Sequence, residues 1–167
     1  GGWSLEQIDP ANPCPGKDNW TASNDERGGS PGIINSVFDQ NYVEPLITKV
    51  IPVDNKTFEV SFNQLMEESS MLTVSSYTAD HGAGIPAQAT CDNTDLSKVV
   101  LVFSDELQER ILYTLSVTGN IYSCIGTAIA ANYKFPFGIP ENAVAGDVVI
   151  NEVLFNPAGT GSDFVEI

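Results

Sequence analysis

Apolar and polar residues alternate with a period of two over much of the middle of the chain. Phe58, Val60 and Phe62 alternate with Glu59 and Ser61, while Ile111, Tyr113, Leu115 and Val117 alternate with Leu112, Thr114 and Ser116. Val99, Leu101 and Phe103 alternate with Val100 and Val102 in a third set that is apolar throughout. Successive side chains of a strand point to opposite faces, so this alternation predicts strands with one buried face. Apolar runs predict further strands over residues 46–51, 71–77, 85–91, 128–135 and 148–155. Clusters of Gly, Pro, Asn and Asp at 52–55, 80–84, 92–95, 119–120 and 138–140 mark the turns between them. Short strands punctuated this regularly predict an all-β protein built as a β-sandwich.

Two stretches rich in helix formers, 63–69 and 104–110, interrupt the pattern. Each reads as a turn of helix or a charged loop, because so short a helix is marginal unless it docks on the sheet. Residues 10–32 are dense in Pro, Gly, Asn, Asp and Ser, with Cys14 and Trp20 as the bulky anchors, and predict loop. Before them, 3–8 reads as one strand.

The far end changes character again. Residues 138–146 read as a linker, 148–155 as an apolar strand and 156–162 as a turn. A second strand begins at Asp163, and the sequence stops inside it at Ile167. The expectation is a segment of a longer protein.

Composition bounds what such a chain does. Of its 167 residues 42% are hydrophobic, enough for a core, which excludes disorder over most of the length. Asp and Glu number 22 against 7 Lys and Arg, a net charge of −15. Nucleic acids and anionic lipids are bound through Lys and Arg, so neither is an expected partner. No apolar run nears the ~20 residues that span a bilayer, and direct membrane insertion is not expected. The opening Gly-Gly-Trp-Ser-Leu-Glu has no basic or apolar leader region, so export would require a signal upstream.

Lys56-Thr57-Phe58-Glu59-Val60-Ser61-Phe62-Asn63-Gln64-Leu65-Met66, with Tyr113-Thr114-Leu115-Ser116-Val117-Thr118-Gly119 later, resembles the bacterial Ig-like domains of the S-layer-associated type. The resemblance spans residues 44–137 and implies an Ig-like β-sandwich. That family's Asp-x-x-Gly-Asn turn is replaced here by Tyr122-Ser123-Cys124-Ile125-Gly126, so no cation site carries over.

The flanks resemble lamin-tail domains, which are Ig-like sandwiches of nuclear lamins and exported bacterial surface proteins. Gly2-Trp3-Ser4-Leu5-Glu6-Gln7-Ile8-Asp9-Pro10, Asp18-Asn19-Trp20-Thr21-Ala22-Ser23 and Gly28-Gly29-Ser30-Pro31-Gly32 are similar to the closing segment, over 1–40. Gly146-Asp147-Val148-Val149-Ile150-Asn151-Glu152-Val153-Leu154-Phe155-Asn156-Pro157 and Asp163-Phe164-Val165-Glu166-Ile167 are similar to the opening one, over 147–167. The resemblance implies a Bacteroidetes-type surface protein that alternates the two kinds of module. An apolar strand such as 148–155 needs a partner, so the flanks are expected to pair with each other or with a second copy into a partial second sandwich.

Candidate chemistry is sparse. Cys91 and Cys124 lie near predicted strand ends of one domain and are the candidate disulfide, worth about 3–4 kcal/mol in an oxidising compartment. Two buried free thiols are the plain alternative. Cys14 is left over, its partner outside this segment. The single histidine, His81, sits in the turn Asp80-His81-Gly82-Ala83-Gly84 and reads as a solvated loop residue, with no catalytic thiol to serve. Asp92-Asn93-Thr94-Asp95, Asp18-Asn19 and Asn24-Asp25-Glu26 offer oxygens to a structural calcium ion without the spacing of a dedicated loop. Trp3, Trp20, Tyr42, Tyr77 and Tyr122 would suit either a sugar-binding face or a core.

The expectation is therefore a non-catalytic, extracytoplasmic module of a secreted or cell-surface bacterial protein, serving as spacer, display or adhesion element. No cofactor is expected. The alternative is a carbohydrate- or calcium-binding accessory module of an extracellular enzyme.

Overall fold

The computed structural model describes residues 2–40, 43–92, 94–118, 120–141, 143–155, 159 and 161–166. The alternating segments form the strands that their pattern predicts. β1 is Leu5–Gln7, β2 Trp20–Ala22, β3 Ile47–Pro52, β4 Thr57–Phe62, β5 Tyr77–Ala79 and β6 Gln88–Thr90. β7 is Lys98–Val102, β8 Tyr113–Val117, β9 Tyr133–Phe137, β10 Glu152–Leu154 and β11 Phe164–Glu166. The one α-helical turn among the described residues, α1, is Glu68–Met71.

Two antiparallel sheets make the central sandwich, in the orders β3-β4-β7-β6 and β5-β8-β9. Phe58, Val60 and Phe62 of β4, Val99 and Leu101 of β7, and Tyr113, Leu115 and Val117 of β8 turn inward and are buried. Phe58 meets Phe103 and Phe137 edge to face, with ring centroids 5.9 and 5.0 Å apart. Edge-on aromatic pairs add about 1 kcal/mol beyond the area they bury. Pro136 lies on β9, an edge strand, where a missing amide breaks no internal ladder.

Several expectations need correcting. Residues 71–77 are not a strand: α1 ends at Met71, a 3-10 turn follows at Val74–Ser76, and β5 begins at Tyr77. The apolar run there serves a helix end, because Met71 is fully buried and its carbonyl accepts from the Tyr77 hydroxyl at 2.9 Å. Residues 104–110 take the charged-loop form of the two that were open, with a bend at 104–105 and a turn at 109–110. Leu107 is drawn into the core with its amide on the Asn55 carbonyl at 2.8 Å, which outweighs a single turn's weak propensity. The loop expected over 10–32 contains a 3-10 turn at Gly16–Asn19 and strand β2.

Among the described residues the flanks do not pair with each other. β1 pairs with β2, and β10 with β11, as two separate two-stranded sheets. Each flank closes on a strand nearby in sequence, which costs less chain entropy than a ladder across the whole chain.

Candidate functional site

The N-terminal flank is organised around buried polar groups. Asn19 is buried and clips a loop: its side-chain amide donates to the carbonyls of Asp9 and Asn12, both at 2.8 Å, and its Oδ1 accepts the Asp9 amide at 2.8 Å. Glu6 on β1 is buried too. Its carboxylate accepts the Ser30 hydroxyl at 2.6 Å and the Ser36 amide and hydroxyl at 2.7 and 2.8 Å. The Ser30 bond first, and then those from Ser36 and Ser23, hold this carboxyl down at about 2 despite the opposing effect of burial. Gly29 packs against Ser4 so closely that an added Cβ would stand 2.7 Å from its Oγ.

This flank is fastened to the sandwich at Cys14. The disulfide joins Cys14 to Cys124, with their Cα atoms 5.6 Å apart, and Cys91 is free. The expected Cys91–Cys124 pair is thus corrected. Leu65 sits between the two bridged residues, donating its amide to the Cys14 carbonyl at 2.9 Å and accepting the Cys124 amide at 3.0 Å. These bonds hold Cys14 at the turn carrying Cys124. The signal missed in the sequence was Cys14 itself, a buried anchor in a polar, Pro-flanked loop assigned to a different module. Burial, then the charges of Glu68 and Asp92, raise the Cys91 thiol, the opposite of what a nucleophile needs.

The remaining candidates are satisfied locally. His81 Nδ1 lies 2.9 Å from Asp80 Oδ1, which also accepts the Thr114 amide at 2.7 Å. That amide, followed by His81, lowers the Asp80 carboxyl to about 2. The His81 ring stands edge-on to Tyr113, with ring centroids 5.7 Å apart. Asp92 Oδ1 takes the Thr94 amide and hydroxyl, Asp95 Oδ1 takes those of Ser97, and Asp25 is bound by Arg27. Among the described residues no group of three or more His, Cys, Asp and Glu is placed to hold a metal ion. Asn93 lies outside the described residues. No helix among them is long and apolar enough to cross a membrane.

The five aromatic candidates do not share one face. Tyr77 is buried, Tyr122 is half-buried in a bridge to Ala128, and Tyr42 lies outside the described residues. Trp3 and Trp20 are exposed. In the β1–β2 ladder Leu5 stands opposite Ala22 and Gln7 opposite Trp20, so Leu5 and Trp20 share a side while Glu6 faces the other.

Two antiparallel sheets packed about an alternating core define an Ig-like sandwich. Residues 43–138 match the bacterial Ig-like domain family, and the chain belongs to it. Among solved structures, the S-layer protein rSbsC is similar over 68% of this chain at 14% identity, with a TM-score of 0.51. The N-terminal part of the bacterial S-layer protein SbsC is similar over 68% at 17% identity, with a TM-score of 0.49. The chain spans 15% and 26% of those two structures. No curated protein sequence matches it.

Proposed function

We propose that the chain is a non-catalytic structural module of a multidomain exported or cell-surface bacterial protein, where it spaces, displays or adheres. The junction at Cys14 carries this reading. A disulfide and the Leu65 backbone lock the N-terminal flank onto the sandwich, giving two successive units a fixed relation, as a spacer requires. Disulfides form and persist outside the reducing cytosol, in keeping with an extracytoplasmic setting. Membership of the bacterial Ig-like family and a fold like that of S-layer proteins support the same role.

A second reading, a carbohydrate-binding accessory module of an extracellular enzyme, is favoured by one observation: Trp3 and Trp20 are both exposed on the flank. A glycan array together with melting curves at varied calcium separates the two. The spacer reading expects no retained glycan and no calcium-dependent shift. A glycan that binds the chain and is lost on Trp20→Ala overturns it in favour of the accessory module.

A further inference from the structure

The N-terminal flank and the sandwich hold themselves together by separate means. The sandwich core runs from Ile47 to Ile139 and takes no residue from the flank. Among the described residues no strand of the flank pairs with a strand of the sandwich. Glu6 and Asn19, the buried polar side chains that organise the flank, find their partners between Asp9 and Ser36. The bonds between the two units, among the described residues, gather where the loop at 14–18 meets Leu65 and Cys124. There Lys17 and Asp18 face Asn63, Gln64 and Ser97 across an open cleft of about 230 Å³. Interfaces held by packing leave few voids larger than a water molecule, so packing is not what closes this seam. The disulfide crosses it, and so does the bond from the Leu65 amide to the Cys14 carbonyl. One such hydrogen bond, exchanged against water, biases an equilibrium only about fivefold. The disulfide therefore sets the geometry of the joint.

We infer that the Cys14–Cys124 bridge is a redox-operated lock on this joint: oxidised, it holds flank and sandwich in one relation, and reduced, it lets the flank turn free while each unit keeps its own fold. The inference rests on the reading of the chain as a spacer and gives that spacer a stiff and a jointed state. The placement of the bridge suits the use. Cys14 is buried, but Cys124 is exposed on the turn at 123–126, so a dithiol reductant meets the bridge at Cys124. One thiolate of the reductant attacks Cys124 Sγ, the disulfide bond breaks, and Cys14 leaves as a thiolate that takes up a proton. The second thiolate of the reductant then closes its own disulfide and releases Cys124 as a thiol. One dithiol is oxidised for each bridge reduced.

The test uses the full chain in a Cys91→Ser background, so that thiol chemistry reports the bridge alone. Amide nitrogen relaxation gives the tumbling time of each unit. In the oxidised chain β1 and β2 should tumble with β4 and β8 as one body. Dithiothreitol in native buffer should reduce the bridge, as read by mass spectrometry. The common tumbling time should then be lost, β1 and β2 moving faster than β4 and β8, while all four strands keep their dispersed chemical shifts. Cys14→Ser should show the same two times with no reductant present. Three outcomes overturn the inference and leave the spacer reading in place: one tumbling time after reduction, a bridge that yields to the dithiol only in denaturant, and loss of either unit's dispersed shifts once the bridge is gone, which would make it a strut of the fold. Two tumbling times in the oxidised chain would overturn both, because the fixed relation that carries the spacer reading would be absent.

Discussion

The hydroxyl of Tyr133 donates to the carbonyl of Ile47 at 3.1 Å, joining β9, the edge of one sheet, to β3, the edge of the other. This bond closes the sandwich along one side. Tyr133→Phe keeps the ring and removes the donor, so it should cost about 1 kcal/mol in urea unfolding with an unchanged slope. A loss near zero would mean that water satisfies both groups equally well.

Phe58 is the packing centre of the same sandwich, touching Phe103 and Phe137. Phe58→Ala should destabilise by about 3–5 kcal/mol, the cost of deleting a buried aromatic and leaving its cavity. Chemical denaturation followed by far-UV circular dichroism checks this.

The cysteines make a sharper test. Thiol labelling of the unfolded, unreduced chain should modify Cys91 alone, and Cys91→Ser should leave the Cys14–Cys124 bridge intact by mass spectrometry. Cys14→Ser should lower stability by about 4–5 kcal/mol on the chain-entropy estimate for so long a loop. It should also free Cys124 for labelling.

Glu6 gives the N-terminal flank a pH dependence. Its carboxyl titrates near 2 in the folded state instead of its ordinary 4.5. A depressed folded value means that the stabilisation is fully present above about 4.5 and is lost as pH falls from there through about 2. The protection of the Ser36 amide, which donates to this carboxylate, relative to a free amide at the same pH should fall across that window. In Glu6→Gln the acid-induced change should vanish, with faster exchange already at neutral pH.

The sequence made the sandwich legible where one face of a strand is buried. β4 and β8 alternate cleanly, and the structure buries every second residue of each. It was less legible where a few apolar residues serve a turn. The run from Met71 to Val74 has strand-like composition, yet burial of Met71 at a helix end decides its shape. The flank was harder still. Burying Glu6 and Asn19 while exposing Leu5 and Trp20 reverses the usual sorting, and only the serine hydroxyls and backbone groups around them make that stable. The Cys14–Cys124 bridge escaped notice because it spans 110 positions and crosses the boundary between two resemblances, one over 1–40 and the other over 44–137. Periodicity is a local signal and says nothing about such a distant pairing.

That bridge also decides how a pull on the two ends would travel. Tension entering from the N-terminal side passes at Cys14 straight to Cys124, so the backbone from β2 to β8 lies inside a covalent loop that cannot be drawn out, and β2 and β8 serve only as anchors for β1 and β9. What must resist is the remainder: β1 at one end, and β9 with the last hairpin at the other. In the oxidised chain the greater part of the sandwich cannot lengthen. Reduction would put it in series with the load and release roughly 350–400 Å of hidden length from the 110-residue separation. The molecule's extensibility is therefore set by its redox state more than by the strength of its sheets.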